Sequence, residues 1–156
     1  MQHAQQHEVH LHPFLRPDHW DVADIWIASW DSSLPTMSHF ARHDWVFHRL
    51  EALHSDGAFT ICALNKRTGA IAGFATADPA RGELTRIAVA SSARGAGVSV
   101  ALLQRVKALA PRGLVARVPG ANARALRFFA REGFEAVEPA AIAGKGEVVM
   151  RWGGEG

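Results

Sequence analysis

The chain has 156 residues, 48% of them hydrophobic and 21% charged, and its formal net charge is +2. These values are typical of one soluble domain that is long enough to bury a core. They exclude a transmembrane helix, because no apolar run approaches the roughly 20 residues that such a helix needs. No signal-peptide pattern opens the chain, Cys62 is the single cysteine, and no basic cluster is interleaved with aromatic residues. We therefore expect a cytoplasmic protein without a nucleic-acid or membrane partner.

The first half of the chain predicts one strand, two helices and a β-hairpin. Pro17 and Asp18 are typical of a helix start, and the cluster from Asp31 to Pro35 is typical of a turn. Cys62 falls in an apolar run that predicts a buried strand, so we expect its thiol to be inert. The predicted elements are a tail at 1–8, strands at 9–16, 59–64 and 70–76, and helices from 17 and at 38–53.

The second half of the chain predicts four further strands and two helices. The segment 111–113 breaks the central helix, and an Ala/Gly-rich loop separates the last two strands. The predicted strands lie at 84–89, 114–118, 134–137 and 147–152, with helices from 98 and from 122. No repeat is present, so we expect a single domain at 9–152 with tails at 1–8 and 153–156.

The most informative segment runs from Glu83 to Ser99. An alternating apolar run ends in a loop with two spaced glycines, Gly95 and Gly97, and a helix pattern follows at once. The apolar positions of that helix are Val98, Leu102, Val106 and Leu109. The glycines let the backbone approach a ligand, and the helix start offers unpaired N–H groups and the positive end of a dipole. This pattern predicts a site for a phosphorylated ligand.

Three phosphate-binding motifs fit this segment to different degrees. A P-loop would end in Gly-Lys-Ser/Thr, and no Lys or Thr lies near Gly97. A dinucleotide fingerprint would have a small residue in place of Val100 and an acid for the ribose about 20 residues on. The third motif is the acyl-CoA loop of the GNAT acyltransferase superfamily, Gln/Arg-x-x-Gly-x-Gly/Ala. Residues 94–99 resemble it at every fixed position except the last, where the chain has Ser99.

A second block, at 122–134, resembles the later GNAT signature Asn-x-x-Ala-x-x-x-Tyr-x-x-x-Gly-Phe. It departs from the signature at Phe129, where the family usually has Tyr. The matching positions are Asn122, Ala125, Gly133 and Phe134. The two blocks have the family's order and separation, and 148–152 resembles its closing strand. The resemblance implies an α+β domain with a mixed sheet of about seven strands, flanked by about four helices.

The same resemblance implies an N-acetyltransferase that uses acetyl-CoA and the primary amine of a small molecule, peptide or protein. In the family, the CoA pyrophosphate lies on the loop, the pantetheine arm runs beside the strand ending at Val89, and an Asn at the position of Asn122 bonds the arm. Asn122 also suits a helix N-cap. The implied cofactor-binding residues are Ile87, Ala88, Val89, Arg94, Gly95, Ala96, Gly97, Val98, Ser99, Asn122 and Phe129. No metal is expected, and dimers are common in the family.

Acyl transfer to an amine requires removal of the ammonium proton and departure of the thiolate. Glu83 matches a position at which some family members carry the general base, and a surface Glu at a strand start is the alternative interpretation. Asp31 could bind or deprotonate the acceptor, although a turn aspartate is the simpler interpretation. Phe129 cannot donate a proton to the leaving thiolate. A second hypothesis is therefore a CoA-binding regulatory or interaction domain with weak or no catalysis.

Charge is distributed unevenly along the chain. Residues 1–75 carry five Lys/Arg against eight Asp/Glu, whereas residues 76–156 carry twelve against seven. The pattern suits a polyanionic cofactor in the second half and a cationic acceptor in the first, and random scatter of surface charge fits it equally well. We interpret the excess of Arg over Lys as a matter of composition.

The two helices of the first half contain further candidates. His39 and His43 are one helical turn apart and could hold a metal, but the sequence places no third ligand, so a solvated or acceptor-lining pair is favoured. The same helices form the acceptor wall in the family. We expect most of their tryptophans in the core and one or two lining the acceptor pocket. These are Trp20, Trp26, Trp30 and Trp45.

Overall fold

The computed structural model describes residues 9–29, 38–95, 97–137 and 146–154. Several predictions fall outside these ranges, namely the tail at 1–8, Trp30, the turn from Asp31 to Pro35, Ala96, most of the late loop and the last two residues. Within the described ranges the chain forms one mixed sheet of seven strands and four α-helices that pack on it. This arrangement confirms the predicted α+β fold.

The elements follow the predicted order. The strands are β1 (Val9–Pro13), β2 (Phe59–Asn65), β3 (Ile71–Asp78), β4 (Glu83–Val89), β5 (Leu114–Pro119), β6 (Glu135–Ala136) and β7 (Glu147–Trp152). The helices are α1 (His19–Ala28), α2 (His39–Ser55), α3 (Val98–Ala108) and α4 (Ala123–Arg131). Short 3-10 turns lie at Arg16–Asp18 and Ser91–Ala93.

Most element ends agree with the prediction to within two residues, and two predictions near element ends are wrong. The first strand ends at Pro13 instead of Arg16, because Arg16–Asp18 form a 3-10 turn around Pro17 and the helix begins only at His19. Leu109 does not continue the buried stripe of α3, because the helix ends at Ala108 and leaves the side chain 47% exposed.

The sheet has the order β1-β2-β3-β4-β5-β7-β6, and its neighbours are antiparallel except for the pair β4–β5. That parallel pair is joined by a crossover through α3, as parallel strands require. Its pairing covers only Glu83 with Val115 and Leu84 with Ala116. Beyond Leu84 the two strands are no longer paired, so a gap opens between them at the C-terminal end of β4.

Helices cover both faces of the sheet. Along β2, Ile61 and Ala63 join the core under α3 and α4, whereas Cys62 joins the core under α1 and α2. This alternation follows from the two-residue period of a strand. Cys62 is fully buried, and burial raises the pKa of its thiol to about 12, in keeping with the expected inert role. Among the described helices, none has both the length and the apolar character that crossing a bilayer requires.

Gly73, in the centre of the sheet, sets the position of α3. A Cβ atom at this residue would lie 2.9 Å from the carbonyl oxygen of Ala88 and 3.1 Å from Cγ1 of Val98. Glycine therefore lets the first turn of α3 pack closely on β3 and β4. This contact fixes the loop between β4 and α3 relative to the end of β4.

Candidate functional site

The loop between β4 and α3 has the backbone that its glycines predict. Gly95 and Gly97 have φ of +82° and +79°, a left-handed conformation that only glycine adopts without strain. Gly97 is the N-cap of α3, and no side chain accepts a hydrogen bond from the first N–H groups of that helix at the cap. The start of α3 is therefore free to bind an anion.

A cavity of about 550 Å³, here called the loop groove, lies along this loop. It is lined by the end of β4, the loop, the start of α3 and one face of α4. The structure brings together in this groove every predicted cofactor-binding residue that it describes. These are Ile87, Ala88, Val89, Arg94, Gly95, Gly97, Val98, Ser99, Asn122 and Phe129.

Three arginines of α4, Arg124, Arg127 and Arg131, also line the loop groove. The interpretation of the arginine excess as compositional is therefore wrong for these residues. Their spacing of three and four residues places them on one face of the helix, and this spacing was visible in the sequence. With Arg94 they form a cationic surface, and no acidic residue belongs to the described lining of the groove.

The end of β4 presents free backbone groups to the gap between β4 and β5. The N–H of Ala90 donates to the carbonyl of Ala72 at 2.8 Å, so Ala90 faces β3. Because backbone groups alternate in direction along a strand, the N–H and C=O groups of Ile87 and Val89 point the opposite way. Pairing with β5 has already stopped there, so these groups are available to a ligand.

A second cavity of about 600 Å³, here called the strand cleft, lies where β4 and β5 diverge. It shares five lining residues with the loop groove, so the two cavities adjoin. The shared residues are Ser29, Ile87, Asn122, Ala125 and Phe129. The shared residues therefore form the part of the site at which ligands in the two cavities would be nearest to each other.

Asn122 and Phe129 lie at the junction of the two cavities. Oδ1 of Asn122 accepts a hydrogen bond from the N–H of Ala125 at 3.1 Å, so this residue is the N-cap of α4. Its side-chain NH₂ group remains as a donor toward the cavities. Phe129 is 6% exposed and packs edge-on against Phe134, with ring centroids 5.0 Å apart. It offers an apolar wall, and the chain has no Tyr that could replace it.

Glu83 is the predicted site residue that the structure sets apart. It is the exposed first residue of β4 and belongs to the lining of neither cavity, although its neighbour Leu84 lines the strand cleft. Six residues separate Glu83 from Val89, which is roughly 20 Å along a strand. A proton-transfer role for Glu83 would therefore act through water.

Sequence reasoning missed Arg86. This side chain lines the strand cleft, its guanidinium lies 4.9 Å from the centre of the Trp26 ring, and its Nη2 donates to Ser29 Oγ at 2.8 Å. Burial lowers the pKa of Arg86 to about 10. A charged residue directly before the apolar residues Ile87, Ala88 and Val89 was the signal available in the sequence.

The tryptophans of α1 and α2 are less buried than predicted. Trp26 is 4% exposed and stacks on Phe74 with centroids 5.8 Å apart. Trp20 and Trp45 are 48% and 41% exposed, and Trp20 lines a cavity beside His43, so two of the three described tryptophans lie outside the core. Periodicity alone did not show which flank of each helix faces the other.

His39 and His43 meet a third polar residue, Asp24 of α1. Nε2 of His43 is hydrogen-bonded to Oδ1 of Asp24 at 2.7 Å, and its Nδ1 donates to the carbonyl oxygen of His39 at 3.0 Å. The donor atoms of all three side chains lie within 4.8 Å of one another and could hold a cation. The absence of a metal stays a prediction. A cavity of about 530 Å³ beside His43, walled by Trp20, Phe40 and others, shares no lining residue with the loop groove or strand cleft.

Comparison with known proteins places this geometry in a family. Residues 19–134, well over half of the chain, match the model of the acetyltransferase (GNAT) family. No curated protein sequence matches the chain. Solved structures with similar folds include a GNAT-family protein from Desulfovibrio desulfuricans, at 24% identity and a TM-score of 0.71, covering 93% of this chain and 98% of the other.

Two further structures show the same fold at lower identity. The histone acetyltransferase HPA2 and related acetyltransferase from Corynebacterium glutamicum has 19% identity and a TM-score of 0.74, with 96% and 98% of the two chains covered. The spermidine/spermine N-acetyltransferase SpeG from Vibrio cholerae has 15% identity and a TM-score of 0.64, with 94% and 92% covered. The family match and the shared fold show that the chain belongs to the GNAT acetyltransferase family.

Proposed function

We propose that this protein is a cytoplasmic N-acetyltransferase that moves the acetyl group of acetyl-CoA to the primary amine of a small molecule or peptide. The loop groove carries this proposal. Its four arginines and the free N-terminus of α3 suit the phosphates of CoA. The adjoining strand cleft offers a separate place for an acceptor.

In this proposal different residues of the loop groove bind different parts of CoA. The N–H groups from Gly97 to Ser99 and the guanidinium of Arg94 bind the pyrophosphate. The backbone of Ile87 and Val89 pairs with the pantetheine arm in the manner of an added strand. The side-chain amide of Asn122 bonds the same arm, while the ring of Phe129 shields it from water.

The free N–H groups at the end of β4 would polarise the thioester carbonyl. Because they are fixed before the reaction, they stabilise the oxyanion that develops in the transition state without reorganisation. The amine nitrogen forms a bond to the carbonyl carbon, and the carbon–sulfur bond breaks with its electron pair going to sulfur.

Two protons must also leave the amine nitrogen during the reaction. We propose that Glu83 accepts the ammonium proton through water, as its exposed position at the edge of the strand cleft requires. The attacking nitrogen loses a second proton as the amide forms. This proton passes to the departing thiolate through water or by way of the hydroxyl of Ser99, which lines the loop groove, or goes to solvent if the thiolate leaves as the anion, because Phe129 cannot donate a proton.

Thermal melting with and without saturating acetyl-CoA is the first test. A ligand at one hundred times its dissociation constant stabilises the fold by roughly 3 kcal/mol, which corresponds to a rise in Tm of several degrees. We expect this rise with acetyl-CoA and none with NAD. A screen of primary amines for release of the CoA thiol then measures turnover. An unchanged Tm with acetyl-CoA would contradict the proposal.

The alternative function is a CoA-binding regulatory domain, and Phe129 is the observation that favours it. Phe129→Tyr supplies a phenolic proton at the junction of the two cavities. If thiolate protonation limits the reaction, turnover should rise by about tenfold, at the low end of the effect of a positioned general acid. Tight CoA binding without turnover in either protein would support the regulatory domain.

A further inference from the structure

The strand cleft has an unusual charge for a cavity that is expected to receive an amine. Its described lining contains two arginines, Arg86 and Arg117, and no Asp or Glu. The adjoining loop groove adds further arginines, and its described lining contains no Asp or Glu either. An acceptor that carried only positive charge would enter against this field.

Arg86 is the arginine whose surroundings are most specific. Its Nη2 donates to Ser29 Oγ at 2.8 Å, and that hydroxyl in turn donates to the carbonyl oxygen of Trp26 at 2.8 Å. The guanidinium lies over the Trp26 ring. Arg86 is therefore held in one orientation at the wall of the cleft by two residues of the C-terminal end of α1.

The guanidinium of Arg86 is incompletely paired. Nε is buried and has no hydrogen-bond partner among the described residues, and no described carboxylate forms an ion pair with it. Burial lowers its pKa to about 10, so the group is still a cation at neutral pH. The C-terminal end of α1 supplies only about half a negative charge. A partly buried cation that lacks a counter-ion is costly, and a bound anion would remove this cost.

We propose that Arg86 forms an anion subsite in the strand cleft and that the natural acceptor is a small amine that also carries a carboxylate, as an amino acid does. This inference rests on the proposed function. Arg86 lies one residue from Ile87 and three from Val89, roughly 3 to 10 Å along the strand. A compact amino acid held at Arg86 therefore brings its amine close to the free backbone groups where the thioester carbonyl would lie.

A comparison of matched acceptors tests the subsite. The wild-type protein is assayed with acetyl-CoA and each of the 20 common amino acids, and with the corresponding amines that lack the carboxylate. Because a hydrogen bond to a charged group contributes to binding, kcat/KM for the preferred amino acid should exceed that of its decarboxylated partner by about 10- to 100-fold. Equal kcat/KM values, or a preference for the decarboxylated amine, would overturn the proposal.

Variants of Arg86 locate the effect. Arg86→Gln should reduce the preference for the carboxylate to within about threefold, and Arg86→Lys should retain part of it, because lysine keeps the charge but loses the planar fork. Arg49→Gln removes the same charge from an exposed position of α2 that lines neither cavity, and it should keep the full preference. A preference that survives in Arg86→Gln would show that the carboxylate binds elsewhere.

Melting of the protein without ligands tests Arg86 independently of turnover. If its cation waits for an external anion, Arg86→Met should leave the Tm unchanged or raise it, because the variant removes an unpaired buried charge. A fall in Tm of more than about 5 °C would identify Arg86 as a structural clamp and overturn the proposal. The rise in Tm with acetyl-CoA should persist in this variant, and its absence in the wild type would instead reject the proposed function.

A double-variant cycle examines an internal partner for Arg86. Asp31 is close to Ser29 in sequence and lies outside the described residues. We expect the effects of Asp31→Asn and Arg86→Gln on Tm to add. If Asp31→Asn lowers the Tm in the wild-type background but not in the Arg86→Gln background, Asp31 is the counter-ion of Arg86. This result would overturn the proposal.

Discussion

The loop groove and the helical wall formed by α1 and α2 lie on neighbouring parts of the molecule and are built in different ways. In the loop groove, the groups that would meet a ligand are backbone N–H groups and four arginines. In the helical wall, the exposed groups are aromatic and polar side chains such as Trp20, whose positions depend on contacts between the two helices. A site built from backbone groups can be located from the spacing of glycines and helix starts along the sequence. A site built from side chains depends on how the helices that carry them pack against each other.

Substitutions in the loop groove and in the helical wall should therefore change different properties of the protein. A change in the groove should act on ligand binding through the backbone, because the glycine conformations and the start of α3 hold the N–H groups. A change in the helical wall should act first on stability, because its polar side chains hold one another. Four substitutions probe this division, from the largest expected effect to the smallest.

Gly97→Val should have the largest effect on ligand binding. Gly97 has φ of +79°, so the variant distorts the loop and displaces the N–H groups that we propose as phosphate ligands, whose bonds would be charge-assisted. We expect acetyl-CoA to bind about 10- to 100-fold more weakly, as measured by isothermal titration calorimetry. Gly69→Val is the matched control, since Gly69 has φ of +77° in the β2–β3 hairpin and a Cβ atom added there would meet nothing within 4 Å. Equal losses of affinity in the two variants would contradict the division.

His43→Ala should lower stability and leave acetyl-CoA binding unchanged. His43 is 4% exposed, stacks on Trp20 with centroids 4.1 Å apart, and bonds Asp24 and the carbonyl of His39. Losing these contacts in a buried position should cost about 2 to 3 kcal/mol in the free energy of unfolding by urea. A loss of acetyl-CoA affinity of the same size would show that the wall and the groove are coupled.

Glu83→Gln tests a residue that lines neither the loop groove nor the strand cleft. As a base acting through water from outside both cavities, Glu83 should contribute less than a directly placed base, so we expect kcat to fall by about tenfold. The affinity for acetyl-CoA should not change, because Glu83 does not line the loop groove. An unchanged kcat would identify Glu83 as a surface residue of the strand start.

His54→Asn should have the smallest effect on stability, and this effect should appear only at acidic pH. Burial lowers the pKa of His54, whose Nε2 is hydrogen-bonded to Thr60 Oγ1 at 2.8 Å. As the pH falls through 6.5, the unfolded chain binds a proton at this residue that the folded chain does not, so stability decreases until the lower folded pKa is passed. The variant should therefore show a shallower fall of Tm between pH 7 and pH 5. Identical slopes in the two proteins would contradict this interpretation.

The predictable part of the fold is the part with a clear local period. The apolar run of β2 and the stripe of α3 placed these elements close to their observed bounds, and the Gly-rich loop pointed to the groove before any contact was known. The errors lie where local signals end. The strand β1 stops early at a proline-containing turn, and Leu109 falls just past the end of α3.

The candidate site divides in the same way. The sequence identified the described residues of the loop and Asn122, because glycine conformations, helix starts and N-caps depend on residues within a few positions of one another. It did not identify Arg86, and it dismissed the arginines of α4. A charged residue in a strand or a helix is informative only when its neighbours across the fold are known.

The sequence by itself determined the family signature, the order of the elements and the conformation of the phosphate-type loop, all of which are set by short-range sterics and hydrogen bonding. Only the tertiary structure decided that β4 and β5 separate after Leu84, that Arg86 meets Ser29 and Trp26, and that His43 finds Asp24. These contacts join residues up to 60 positions apart in the chain. Their geometry depends on how helices and strands pack as rigid units, which no local pattern of residues encodes.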